Sequence, residues 1–131
     1  MTGDGARTDR RRARGGLARK TGRRAEVIAA LHLMARGYRI LGFRLRAPQA
    51  EIDLLALKGQ VLAVVEVKSR MSLEAALEAV GFDQRDRLRR AAAAIARGRP
   101  ALAGRTIRLD LFALAPGRWP RHVPNAWPAD G

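Results

Sequence analysis

Two short charged triplets, Glu51-Ile52-Asp53 and Glu66-Val67-Lys68, interrupt runs that are otherwise apolar. Strands are predicted over Ala50 to Leu57 and Val61 to Ser69, with Lys58-Gly59-Gln60 as the hairpin signal between them. Side chains alternate along a strand, so Glu51 and Asp53 share a face, as do Glu66 and Lys68. Register decides how they meet. With Gly59-Gln60 as the two-residue turn, Lys58 pairs with Val61, Asp53 lies opposite Glu66, and Glu51 lies opposite Lys68. With Lys58-Gly59 as the turn, Glu51 opposes Glu66 and Asp53 sits diagonally from it. Both arrangements collect the four charges on one face. The first is preferred because it gives Glu51 an oppositely charged neighbour across the strands.

Two carboxylates ~4 Å apart at an effective dielectric near 20 repel by about 4 kcal/mol. A fold keeps such a pair only if one group is protonated, a cation intervenes, or Lys and Arg neutralise them. A divalent cation removes the repulsion and gives the pair a use; an ion-pair cluster at a sheet end is the structural alternative. The chain has no cysteine, and its two histidines, His32 and His122, are far apart in sequence. Zinc ribbons, iron–sulfur clusters and thiol catalysis are thereby excluded. Oxygen donors remain, and they favour Mg²⁺ or Mn²⁺.

The elements that position these residues follow from periodicity and punctuation. A helix is predicted from a Thr21 cap to about Arg36, ended by Gly37, with Val27, Leu31, Met34 and Ala35 as its buried stripe. Tyr38 to Arg46 reads as a strand and Pro48 as the loop after it. Leu73 to Val80 is a short helix. A longer one follows, capped by Asp83 and ended at Gly98, with Leu88, Ala91, Ala92 and Ile95 inward and Arg85, Arg89 and Arg97 outward. Thr106 to Leu114 is a further strand. A Pro-rich tail with Trp119, His122 and Trp127 is a candidate edge strand, its two tryptophans expected to cover the core. The fold class is α/β, a mixed central sheet flanked by helices in the order α-β-β-β-α-α-β. The domain spans 21–131, preceded by a mobile basic arm over 1–20.

A hydrophobic share of 47% is that of a globule rather than a disordered chain. The net charge is +14. Residues 1–24 hold nine basic and two acidic groups, leaving seventeen against ten in the remainder, so both parts are basic. A polyanionic partner is the electrostatic expectation, and charge alone leaves DNA, RNA and anionic lipid open. No apolar run reaches the ~20 residues of a membrane span and no secretory signal is evident, so no membrane partner and a cytoplasmic location are expected.

An acidic residue on one strand followed by Glu-x-Lys on the next resembles the PD-(D/E)XK nuclease signature. Within that superfamily the chain resembles the YraN family, a bacterial group similar to archaeal Holliday-junction resolvases. The likeness runs over roughly 22–127. It is carried by Gly22 and Glu26, Gly37-Tyr38, Glu51-Ile52-Asp53, Val65 through Lys68 with Arg70, Glu78-Ala79-Val80, Arg108-Leu109-Asp110, and His122 through Trp127. It departs at Ala50, where the family carries glycine. The resemblance implies a restriction-endonuclease-like fold and metal-assisted phosphodiester hydrolysis. Asp53, Glu66 and the Val67 carbonyl would bind Mg²⁺ or Mn²⁺. Lys68 would orient the attacking water or stabilise charge developing on the phosphate. Glu26, projecting from the first helix, would complete the catalytic set.

Gln84, Arg70 and Arg85 are the candidate nucleic-acid contacts, although the arginine stripe of the long helix reads first as a solvated face, with nucleic-acid contact the minority reading. Glu51 is expected to pair with Lys68 or Arg70, and His122 and Asn125 to hold structural hydrogen bonds. The leading function is a metal-dependent endonuclease-like enzyme on nucleic acid, with DNA the expected form. Its rivals are a non-catalytic nucleic-acid-binding module of the same fold and an interaction protein that docks through its basic arm. Superfamily resolvases act as dimers, so a homodimer is a candidate assembly, although no segment marks its interface.

Overall fold

Strands β2 (Glu51–Lys58) and β3 (Val61–Ser69) are apolar on both faces, so both need neighbours beside them and cover above and below. The computed structural model, which describes residues 23–129, provides both. Its sheet has the order β1-β2-β3-β4-β5, where β1 is Arg39–Arg46, β4 is Thr106–Leu114 and β5 is Arg121–Val123. Only β3 and β4 run parallel; the other neighbours are antiparallel. A parallel pair needs a crossover, supplied by α2 (Leu73–Glu78) and α3 (Phe82–Arg97). A helix over 23–35, α1, precedes the sheet. This is the expected element order, and the tail adds the edge strand β5. The basic arm over 1–20, the Thr21 cap and Gly22 lie outside the described residues.

Each face has its own core. On one, Leu55, Leu62, Val64, Leu109 and Leu111 meet Leu88, Ala91 and Ala92 of α3, with Ile95 packed alongside. On the other, Leu54, Ala56, Ala63, Val65 and Phe112 meet Ala29, Ala30 and Leu33 of α1. Each fully buried leucine contributes roughly 1.5–3 kcal/mol of transfer free energy.

The stripe expected on α1 is the wrong one. Val27, Leu31 and Met34 are 52%, 61% and 55% exposed, and Ala35 is exposed too. The buried side is Ala25, Glu26, Ala29, Ala30 and Leu33. Close packing explains the choice: the sheet already presents Leu54 and Phe112, and small helix residues let the backbone approach such bulk without voids. Size complementarity outweighs hydrophobicity here.

Three further expectations are corrected. The N-cap of α3 is Gly81, without a side-chain cap, and Asp83 sits in the first turn, where it suits the helix dipole. Trp119 is 92% exposed and covers nothing, whereas Trp127 is 5% exposed and donates from Nε1 to the Leu77 carbonyl at 3.1 Å. Arg85 and Arg89 do not form a solvated stripe. Arg89 donates to the Trp127 carbonyl, and the Arg85 guanidinium lies 5.5 Å from the Trp127 ring centre, so both tie the tail to α3. Among the described residues, no helix is long and apolar enough to cross a membrane.

Candidate active site

The ladder between β2 and β3 starts at Lys58↔Val61, beside a turn whose Gly59 has φ +56, and runs to Leu54↔Val65. This is the register preferred from the sequence; one more step sets Asp53 opposite Glu66. The ladder between the two strands ends before that step. Toward this end β2 continues to pair with β1 through Leu45↔Ile52 and Arg46↔Glu51, while β3 pairs with β4 from Glu66 to Ser69. Side chains replace the ladder in the fork. Asp53 Oδ2 accepts the Val67 amide at 2.9 Å, and Glu66 Oε2 accepts the Asp53 amide at 3.4 Å. A buried amide left unpaired costs about 1–3 kcal/mol, so each carboxylate is anchored while it satisfies backbone. The N–H and C=O of one extended residue face the same neighbouring strand, so the Val67 carbonyl looks into the fork as well.

Strict alternation also fails here. Ile52 packs in the α3-side core with Leu55, while Leu54 packs on the α1 side, although strict alternation along β2 would put Ile52 and Leu54 on one face. The change of face coincides with Arg44, which holds a left-handed φ of +47 and falls opposite Asp53 in the β1–β2 register.

Burial and mutual repulsion load the site. Glu66 is 2% exposed; burial and then the Asp53 charge push its carboxyl up to about 8, against the opposing pull of Lys68. Asp53 is raised by burial, with the Val67 amide and Lys68 acting the other way. Glu26 is raised by burial, with Arg44 opposing. Arg44 Nε stands 3.1 Å from Glu26 Oε2, yet the angle makes no hydrogen bond, and among the described residues that buried oxygen has no donor. Three carboxyls thus share one end of the sheet under strain that added positive charge relieves.

Among the described residues, no group of three or more His, Asp or Glu side chains is gathered closely enough to hold a metal ion. A fully caged ion is therefore not what these residues suit. Asp53 and Glu66 could hold a cation only as a pair of carboxylates with water completing its shell, an arrangement of the kind Mg²⁺ accepts. Asp53 Oδ1 and Glu66 Oε1, the oxygens not used on the amides, and the Val67 carbonyl are the donors available.

Glu51 does not pair with Lys68 or Arg70. Its partner is Arg46, 3.7 Å away, its direct ladder neighbour on β1 and therefore closer than anything across the fork. Arg85 is engaged elsewhere, donating from Nε to the Val80 carbonyl at 3.0 Å. The depression it lines with Phe82, Asp86 and Arg89 contains none of the fork residues. Gln84 is half-buried in the first turn of α3. Arg70 is exposed directly beyond β3, its Nη1 on the Ser69 carbonyl.

A second polar cluster was only partly legible. Asp110, wholly buried, accepts two bonds from Arg108 at 2.7 and 2.8 Å and the Asn125 amide at 2.9 Å, and His122 Nε2 lies 2.8 Å from it. Arg108 also donates to the Tyr38 hydroxyl at 2.7 Å. Burial alone would raise Asp110, but Arg108, His122 and the Asn125 amide outweigh it and hold the carboxyl below its usual range. His122 and Asn125 thus hold structural bonds, as expected. The i, i+2 placement of Arg108 and Asp110 on an apolar strand was the available signal.

A mixed sheet between helices, with acids and a lysine where two central strands part, has the architecture of the restriction-endonuclease-like class. The profile described as "Uncharacterised protein family UPF0102" matches residues 25–114, and the chain belongs to that family. The YraN resemblance read from the sequence points to the same group. The UPF0102 protein of Caulobacter sp. (strain K31) is 66% identical over 125 residues, covering 95% of this chain and 90% of its own. That of Caulobacter vibrioides (strain NA1000 / CB15N) is 65% identical over 117 residues, covering 89% and 94%. The Parvibaculum lavamentivorans protein is 45% identical over 115 residues, covering 88% and 86%. Asp53, Glu66 and Lys68 all fall within the matched region.

Proposed function

We propose that the chain is a divalent-metal-dependent phosphodiesterase acting on nucleic acid, with DNA as the expected form. The supporting observation is the fork, where Asp53 and Glu66 are held by each other's strands and destabilised as anions, with Lys68 beside them. A divalent cation bound there supplies charge neutralisation and Lewis acidity toward a phosphoryl oxygen. Asp53, Glu66 and the Val67 carbonyl would hold it. Lys68, half-buried on β3, stabilises negative charge developing on the phosphate or orients the attacking water. Glu26 adds negative charge from α1 without touching the fork amides. A net charge of +14 supports a phosphate-backbone ligand.

The test is incubation with supercoiled, linear and four-way-junction DNA in Mg²⁺ or Mn²⁺. Cleavage by the wild type that disappears in Glu66→Ala and Asp53→Ala is the expected result. Equal cleavage by wild type and both variants overturns the assignment. Salt-sensitive binding with no cleavage leaves the non-catalytic module of the same fold.

A further inference from the structure

The most exposed aromatic side chain among the described residues lies almost wholly open to solvent. Trp119 is 92% exposed, in the connection between β4 and β5, and Met71, just beyond β3, is 80% exposed. They share a surface depression of about 270 Å³, also lined by Arg118 and Arg121. A contiguous groove of about 440 Å³ adds Arg70 and Pro116. Among the described residues, Glu74 is the one acidic group lining either.

Register ties this surface to the fork. Lys68 pairs with Ala113, and Ala113 pairs with Arg121, so the three stand in one row on one face across β3, β4 and β5. With strands ~4.8 Å apart, Lys68 and Arg121 are separated by roughly 10 Å, a distance that a nucleic-acid backbone covers within about two phosphates. Arg70, Arg118 and Arg121 are all exposed, and an uncovered indole among them is costly unless something flat covers it.

Resting on the phosphodiesterase reading, we infer that Trp119 is a stacking platform for an unpaired base, with Arg70, Arg118 and Arg121 holding the adjoining phosphates. Bases inside a duplex have both faces covered by their neighbours; only unpaired bases offer a free face to an indole. The substrate class is therefore nucleic acid with a single-stranded stretch next to the scissile phosphate, not uniform duplex.

The experiment uses the full chain in EDTA, so that binding is read without cleavage. A short oligothymidylate and a covalently closed, relaxed duplex minicircle, which has neither loops nor ends, are titrated by anisotropy at one salt concentration, with tryptophan emission followed in parallel. The oligothymidylate should quench the exposed indole. Trp119→Ala should weaken its binding by roughly five- to a hundredfold, the range for losing one base–aromatic stack, and leave the minicircle unchanged. Trp119→Phe should restore most of the loss. Unchanged oligothymidylate affinity in Trp119→Ala, or Trp119→Phe as weak as Trp119→Ala, overturns the platform while leaving the fork to its own test. A Trp119-dependent loss in a protein that never cuts preserves the platform and removes the phosphodiesterase. A wild type that binds neither DNA at low salt removes both.

Discussion

The amide of Val67, the residue separating Glu66 from Lys68, donates to Asp53 Oδ2 at 2.9 Å, and the Glu66 carboxylate reaches the Asp53 amide in return. This exchange takes the place of ladder bonds where β2 and β3 part, so an opening in the sheet is held by the two carboxyl groups proposed to bind the cation. It also carries a cost in charge, which makes the site testable without any substrate.

Glu66 holds a proton in the folded chain up to about pH 8, whereas the unfolded chain releases it near its ordinary value of 4.5. The folded state therefore binds more protons across that window, and metal-free stability falls as pH rises through it. The loss amounts to a few kcal/mol at about 1.4 kcal/mol per unit, reduced by the adjustment of Lys68 and Asp53. In EDTA, thermal melts at pH 5.5 should lie above those at pH 8.5, and Mg²⁺ or Mn²⁺ should raise the melting point more at the higher pH. Glu66→Gln should flatten the profile. Identical profiles for the wild type and Glu66→Gln would show that this carboxyl is not the source.

Asp110 is the opposite electrostatic case. Its carboxyl is held below the usual range, so its contribution to stability is present above about pH 4 and lost as the pH falls through the depressed value. Asp110→Asn keeps the shape and leaves Arg108 and His122 without their anion. Breaking a buried pair in this way costs roughly 3–5 kcal/mol, to be read as a lower urea midpoint at pH 7. A shift under about 1 kcal/mol would mean that the cluster is solvated and replaceable.

The strand register, the crossover helices and the α3 inner face were readable because each depends on short-range pattern: a glycine in a two-residue turn, period-2 alternation, and Leu88 with Ala91 and Ala92 at helical spacing. The α1 face was not. Hydrophobicity selects Val27 and Leu31, but the seat against Leu54 and Phe112 is decided by side-chain volume on an element far away in sequence. Asp53 and Glu66 could be paired on paper, yet their bonds to each other's strands depend on the fork, and the fork depends on β1 and β4 drawing the two strands to opposite sides. Trp119 looks like core material by composition, and only the path of the β4–β5 connection shows it in solvent.

The two faces of α1 give a direct stability contrast. Leu33 is wholly buried and Leu31 is 61% exposed. Leu33→Ala should cost about 2–5 kcal/mol through lost contacts and a cavity. Leu31→Ala should stay within about 0.5 kcal/mol. Denaturant unfolding measures both; a larger loss at Leu31 than at Leu33 would place the helix the other way round, and equal losses would overturn the contrast.

Glu26 ranks below the fork residues. It is buried on α1 and repelled by Asp53 and Glu51, but it takes no part in the amide exchange and Arg44 already stands 3.1 Å from it. A carboxylate in that position shapes the field around the site instead of anchoring its centre, and outer partners of metal sites typically cost 10–100-fold in affinity or activity when changed. Glu26→Gln should therefore raise the Mg²⁺ or Mn²⁺ concentration needed for half-maximal cleavage by about tenfold, leaving the rate at saturating metal within a few-fold of wild type. Glu66→Ala should show no recovery at any metal concentration. Arg44→Gln frees the Glu26 carboxylate and should shift the metal dependence the other way. If Glu26→Gln matches Glu66→Ala in losing all activity, Glu26 belongs with the residues that hold the cation, and α1 is then a wall of the site itself.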